Sequence, residues 1–301
     1  MSTGHAFEAF LVRSLAAGAG SVSWERSLRF GALLGDTAHR LGLRRRVVEE
    51  NLAGVVPPWS ETERRGIARD HYRELGRVAL EYPRLAKLVR AVPGEVLCVR
   101  GFEHIEKARQ RGRGAIVLTG HYGNFELAGA SLGQAHPLDF VTRPLSNPNV
   151  EAWIAEQRAA AGIGNISADT GVRQVYESLR RNRLVAMVAD QDARRHGIFV
   201  SFMGRPASTA VGPARIALAT GAPVIMGFIH RGPDGRHELD IEPALEIPEP
   251  EAPDAVARLT ALHTERLERQ VRRRPEHWFW LHRRWKTRPL GGTGVVAGSG
   301  G

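Results

Sequence analysis

A single cysteine in 301 residues, Cys98, excludes a disulfide framework and a cysteine-rich metal site. It sits in "EVLCVRG", which reads as a strand, so a small buried hydrophobe is the expectation there. No run of about 18 apolar residues is present, which argues against a conventional spanning helix. There is no HExxH and no clustered His/Cys spacing, so no metal is expected. "GRGAIVLTGHYGN" is glycine-bearing but lacks both the P-loop Lys-Ser/Thr and G-x-G-x-x-G, and no nucleotide cofactor is expected. The one G-x-S-x-G string, Gly129 to Gly133, falls inside the helix pattern "FELAGASLGQ" and not at a strand-to-helix elbow, which disfavours a serine hydrolase.

What is abundant is positive charge, 42 Lys+Arg against 32 Asp+Glu, a formal net charge of +10. Such a balance implies an anionic partner: nucleic acid, a phosphorylated ligand or a membrane surface. Residues 272–288, "RRRPEHWFWLHRRWKTR", interleave seven Lys/Arg with three Trp and one Phe. No zinc-finger, RRM or helix-turn-helix signature accompanies them, so nucleic acid is not the expected partner. Arginine with tryptophan suits the bilayer interface. The stretch from His5 to Arg46 is moderately apolar, is interrupted by Glu8, Arg13, Glu25 and Arg26, and ends in Arg44 to Arg46. It lacks a basic segment ahead of its apolar part, which speaks against a cleaved signal. It reads as a surface-lying amphipathic anchor or as helices packing on the domain.

Residues 1–92 read as a helical, membrane-associating region. "SETERRGIARDHYRELGRVALEY" opens with a capping box at Ser60 and Glu63 and runs to Pro83. Strand and helix patterns alternate over 93–290, including "AIVLT", "LDFVTR", "LVAMVAD" and "PVIMGFIH". That pitch predicts a layered α/β domain, helices on both faces of a largely parallel central sheet. "GRHELDIEP" adds an edge strand or hairpin. The Gly-rich tail, 291–301, is expected to be disordered.

Three His-x4-acid pairs occur, where twelve histidines and 32 acids would give about one by accident. His237 and Glu242 fall on a strand pattern, on opposite faces. His263 and Glu268 fall on a helix pattern, well apart around its axis. Only His121 and Glu126, in "TGHYGNFELAG", span a bend. There a strand stops at Thr119, Gly120 and Gly123 permit a turn, and Asn124 can cap a helix starting at Phe125. His121 then stands at the strand's carboxyl end, where open α/β sheets place ligands, with Glu126 able to reach back. Arg143 and Asn147 follow the next strand, Arg158 nears the end of a helix, and Asp190 and Asp192 follow "LVAMVA"; these loops can share one rim. Taken alone, Arg158 reads as a solvated helix residue, and Asp190 equally as a cleft or a loop acid. A His-acid pair without a protein nucleophile suits general-base catalysis on a substrate hydroxyl.

"TGHYGNFELAG", "TRPLSNPN", "ADQD", "FMGRPASTAVGPARIALATGAPV" and especially "PEHWFWLHRRWKTRP" together resemble the lipid A late acyltransferases, the lauroyl/myristoyl transferase family of the glycerolphosphate acyltransferase-like superfamily. The likeness spans about residues 5 to 290. It implies acyl transfer from an acyl-carrier-protein thioester, or from CoA, to a lipid hydroxyl at the cytoplasmic face of the inner membrane. It implies His121 as base and Glu126 as its orienting partner, with Arg158 and Asp190 on an anionic lipid substrate; Arg143 and Asn124 are expected to bind substrate beside them. The acceptor expected first is a lipid A precursor. The alternatives are a lysophospholipid, ornithine lipid or glycolipid acceptor, and a non-catalytic basic binding protein that keeps the fold.

Overall fold

The computed structural model describes residues 22–90 and 94–289. The expected tail, the boundary at residue 92 and the start of the N-terminal stretch lie outside the described residues. Four helices come first: α1 (Trp24–Arg40), α2 (Arg45–Ala53), α3 (Glu61–Glu81) and the short α4 (Leu85–Val89). Alternation follows with β1 (Leu97–Arg100), α5 (Phe102–Arg109), β2 (Ala115–Thr119), α6 (Phe125–Ala135), β3 (Leu138–Thr142), α7 (Pro148–Ala160), β4 (Ile163–Ser167), α8 (Val172–Arg180) and β5 (Leu184–Val188). Then come β6 (Ile198–Phe202), β7 (Arg205–Thr209), α9 (Gly212–Thr220), β8 (Val224–Arg231), β9 (His237–Ile241) and α10 (Ala255–Arg273).

Seven strands form one sheet in the order β1-β9-β8-β2-β5-β3-β4. From β8 to β4 all neighbours are parallel, while β9 runs antiparallel to β8 and carries β1 parallel to itself. The expected layered α/β architecture is present. In β2, Ile116 and Leu118 enter one core and Ala115 and Val117 the other, so the sheet is buried on both faces. The "HELDI" segment does form a hairpin with β8, but β1 covers its other side and takes the edge. Cys98 on that edge strand is exposed, not the buried hydrophobe expected.

Local signals explain the helix starts. The Ser60 hydroxyl accepts from Glu63 N–H while Glu63 reaches back to Ser60, so the capping box that opens α3 is complete. Helix α1 is less conventional. Its inward side holds Ser27, Gly31 and Gly35, and a Cβ on Gly35 would fall 2.0 Å from the Tyr72 carbonyl oxygen. Small residues thus let α1 and α3 touch backbone to backbone. The large side chains Phe30, Leu33 and Leu34 point outward, 56%, 57% and 41% exposed.

The basic tryptophan-rich segment contradicts its sequence reading. Trp278, Trp280 and Trp285 are 1%, 0% and 7% exposed, and Arg284 is 1% exposed. They pack against Phe202 and one another, with Trp278 and Trp280 edge to face at 4.6 Å. These indoles form core and do not lie at a bilayer interface.

Candidate active site

The turn after β2 is built around two close approaches. A Cβ at Gly123, where φ is +55°, would meet the Ile229 carbonyl oxygen at 2.1 Å. A Cβ at Gly120 would lie 2.9 Å from Asp190 Oδ2. Glycine at 123 lets the chain turn against β8, and glycine at 120 lets a carboxylate from the neighbouring strand's loop come in. Asn124 then caps α6, its Oδ1 accepting from Leu127 N–H at 3.0 Å.

Strands β2 and β5 are direct neighbours, with Thr119 opposite Val188, so the loops that follow them emerge side by side. His121 Nδ1 lies 2.6 Å from Asp190 Oδ1, and the His121 backbone N–H donates to Oδ2 at 2.8 Å. An ionised carboxylate only accepts, so the proton sits on Nδ1 and the lone pair on Nε2. The Gln191 side-chain amide stands 3.3 Å from that Nε2, and the His121 side chain is 28% exposed toward solvent. Burial opposes a charged imidazole. Asp190's charge and hydrogen bond, with a smaller contribution from Glu126, outweigh it and hold the His121 pKa above its ordinary value. Burial would likewise raise Asp190, but the His121 charge and hydrogen bonds from His121 and Trp278 bring it to about 2.

Glu126 does not reach back to His121 as expected. It forms a buried, two-bond pair with Arg158, whose Nε and Nη2 lie 3.1 and 2.5 Å from its carboxylate. The carboxylate on the imidazole comes instead from another strand, a partner that local spacing cannot reveal. Arg158, read from sequence as solvated, is 9% exposed and stacks over Phe140 at 5.6 Å. Its affinity for a proton is raised: desolvation works against the charge, and Glu126 prevails.

Asn124 was expected among the substrate contacts, but both ends of its carboxamide are engaged inside the protein. Besides the cap, Nδ2 donates to Glu81 Oε2 at 2.7 Å. Glu81 is itself buried against His237 and Arg231. Burial alone would raise its pKa, yet the charges of His237 and Arg231 draw it down to about 2. Arg143 remains exposed and pairs with Asp169 at 3.4 Å, apart from the His121–Asp190 hydrogen bonds. Asn147 caps α7. Asp192 accepts from the Thr287 hydroxyl; among the described residues no group of three or more His, Cys, Asp or Glu is placed to hold a metal.

The residues that sequence reasoning missed lie in the tryptophan-rich segment, which grips the two loops that carry His121 and Asp190. Trp278 Nε1 donates to Asp190 Oδ2 at 2.8 Å. The Asp192 backbone N–H donates to His282 Nε2 at 2.9 Å, and Arg284 donates to the Gln191 carbonyl at 3.4 Å. On the other loop, Gly123 N–H donates to the His277 carbonyl and Phe279 N–H to the His121 carbonyl, at 2.8 and 2.9 Å. Asn51 of α2 ties down the far side, donating to the carbonyls of Trp280 and His282. Arg284 is held without a salt bridge among the described residues; burial lowers its pKa to about 10, against the pull of Asp190 and Asp192. The available signal was the density of aromatic and arginine side chains itself, taken for a surface.

Comparison with known proteins bears on what such a site does. A model of the bacterial lipid A biosynthesis acyltransferases matches residues 9–287. The lipid A biosynthesis lauroyltransferase of Escherichia coli K12 is 28% identical over 276 residues, 87% of this chain and 86% of the relative. The palmitoleoyltransferase of the same organism is 25% identical over 251 residues, 82% of this chain and 80% of its own. The phosphatidylinositol mannoside acyltransferase of Mycobacterium tuberculosis is 28% identical over 222 residues, 71% of this chain and 66% of that relative. The match reaches from before α1 to the segment that grips the His121 and Asp190 loops, and by it the chain belongs to the bacterial lipid A biosynthesis acyltransferase family.

Proposed function

We propose that the protein moves an acyl chain from a thioester donor to a hydroxyl of a lipid acceptor, with His121 as general base and Asp190 as the carboxylate that orients it. The observation that carries this reading is the 2.6 Å contact between His121 Nδ1 and Asp190, which leaves Nε2 facing outward as an acceptor. A hydroxyl bound at Nε2 gives up its proton as its oxygen attacks the thioester carbonyl. The C–O bond forms, the C–S bond breaks, and the imidazolium returns the proton to the leaving thiolate. Asp190 stabilises the imidazolium in between, as the acid does in a serine triad. The Gln191 amide occupies the Nε2 lone pair before substrate arrives. It turns aside to admit the hydroxyl and is then the side-chain donor beside the forming oxyanion. Glu126 acts one step removed, fixing the buried Arg158 beside Tyr82 and Phe140, where it supports the wall of the site; Arg143 serves at the exposed rim.

The favoured acceptor is a lipid A precursor and the favoured donor an acyl carrier protein, an acidic partner suited to a chain of net charge +10. The outward Phe30, Leu33 and Leu34 of α1, with exposed Leu41 and Leu43 beside Arg44 to Arg46, favour an enzyme lying on a bilayer, which for this chemistry is the cytoplasmic face of the inner membrane. No helix among the described residues is long and apolar enough to cross a membrane. A glycolipid acceptor is the second reading, favoured by the 28% identity to a phosphatidylinositol mannoside acyltransferase.

The test is transfer by purified protein from acyl carrier protein or CoA thioesters to each acceptor, with mass spectrometry of lipids from a deletion strain. His121→Ala should lower turnover by about 100- to 10,000-fold with an unchanged melting temperature. Activity versus pH should rise through an apparent pKa above 6.5, because the base must be deprotonated and its pKa is raised. Wild-type turnover by His121→Ala would refute the mechanism.

A further inference from the structure

Where α1 crosses α3, the turn between β8 and β9 closes a third side, and the three bound a cleft of about 530 Å3. That lies within the range of roughly 300–1,000 Å3 typical of small-ligand sites. Leu28, Ala32 and Leu33 of α1 make one wall apolar, while Arg29, Arg73 and Arg77 stand around it. The lining includes neither His121 nor Asp190, nor any residue that hydrogen-bonds to them.

The arginines are not equivalent. Arg231 forms the floor and is balanced from beneath by Glu74 and Glu81, at 2.9 and 2.6 Å. Arg73 is held by Asp36 through two hydrogen bonds of 2.7 and 3.0 Å. Among the described residues Arg77 pairs with Glu74 alone, at 3.3 Å, a carboxylate already shared with Arg231. Arg29 is exposed and makes no ion pair among the described residues. The least compensated charge therefore sits on Arg29, which feels Glu25 of its own helix without an ion pair to it, and on Arg77, which shares Glu74; the two face one cleft from opposite helices. Paired guanidinium groups suit a phosphodiester. Leu33 belongs both to the apolar wall and to the outward face of α1, where it is 57% exposed. A ligand here has an anionic head between the arginines and an apolar part leaving along Leu28 and Leu33.

The geometry points to a headgroup site for one anionic phospholipid of the bilayer surface, separate from the acyl-transfer centre. This rests on the reading of α1 as the membrane-facing element. The site holds the phosphate of a resident lipid between Arg29 and Arg77 and so fixes which way the protein lies on the membrane, giving α1 specificity for charged lipid that its apolar face cannot supply.

The experiment compares the full chain on neutral phosphatidylcholine vesicles and on vesicles that also carry phosphatidylglycerol. Arg29→Glu with Arg77→Gln is set against Arg180→Glu with Arg181→Gln, an equal charge change at the exposed end of α8, outside the cleft and the proposed membrane face. At about 1 kcal/mol per basic side chain near an anionic surface, the cleft variant should bind phosphatidylglycerol vesicles tenfold or more weakly, and the control should lose much less. Monomeric dihexanoyl phosphatidylglycerol should raise the wild-type melting temperature saturably, inorganic phosphate at equal concentration should not, and the cleft variant should show no rise. Acyl transfer in neutral detergent micelles should be unchanged in the cleft variant. Equal losses in both variants would reduce the effect to diffuse charge, and an equal shift with phosphate would make this a soluble-anion site; either overturns the proposal. Loss of micellar activity would assign the cleft to catalysis and overturn it as well. Wild-type protein that binds neither vesicle sinks the membrane reading itself. Equal binding to both leaves that reading standing and removes the headgroup site.

Discussion

Residues 272–288 and helix α1 both mix arginine with large apolar side chains, yet they face opposite ways. In the first, three tryptophans and Arg284 turn inward beneath the loops that carry His121 and Asp190. In the second, glycines turn inward and the phenylalanine and leucines are left outside. Composition alone assigns the tryptophan segment to the membrane, because indole and guanidinium are the side chains of the interface. What separates the two is the partner surface. The segment after α10 has Phe202, Trp59 and a ring of backbone acceptors to meet its rings and N–H groups, whereas α1 meets α3 through glycines that leave no room for anything large.

Variants that exchange the two behaviours should show it. Trp280→Ala, in a fully buried ring that donates to the Pro275 carbonyl at 2.7 Å, should cost about 3–5 kcal/mol in denaturant unfolding. A loss under 1 kcal/mol would return the segment to the surface. Acid should act on the same side of the molecule. Burial lowers the pKa of His71 to about 3 and of His263 and His277 to about 4. Unfolded, each takes a proton near 6.5, so their contribution is present above that pH and is lost as pH falls from 6.5 toward 4. The slope is up to about 1.4 kcal/mol per pH unit for each histidine. A melting temperature flat over that window would contradict the burial.

Trp278→Phe keeps the ring and removes one hydrogen bond to a charged acceptor, a loss of about 1.5–3 kcal/mol. If the indole positions Asp190, kcat should fall roughly tenfold or more with KM little changed, and the pKa seen in the pH profile should move. A drop in melting temperature with normal kinetics would make it packing alone. The smallest effect belongs to the other region. Leu33→Ser, on the outward face of α1, should change stability by about 0.5 kcal/mol or less while weakening vesicle retention. A large destabilisation would mean that this face is covered by protein.

The sheet and its helices were legible because β2, β5 and β8 are short apolar runs bounded by turn residues, and the Asn124 cap and Gly123 turn were legible because both are local. Strand β4 escaped, since only Ile163 and Ile166 of its five residues are buried and it lies at the sheet's edge. The β6–β7 hairpin escaped because its turn is Met203-Gly204, both at positive φ, without the asparagine that usually announces one. The placement of His121 in the turn after β2 was legible from its setting. Its pairing was not, because Glu126 and Asp190 both lie within electrostatic range, and the choice between them depends on Arg158 arriving from α7 and on Trp278 from near the end of the sequence.

The grip of residues 277–284 on the loops at 121–123 and 190–192 also has a meaning in time. A ribosome delivers the chain from its N-terminus at about 5–20 residues per second, and earlier parts begin to fold first. His121 and Asp190 therefore emerge well before the residues that lock them together. Until Trp278 and His282 have left the exit tunnel, the nascent protein holds α1 but lacks a fixed Asp190; on the proposed function, membrane contact precedes activity.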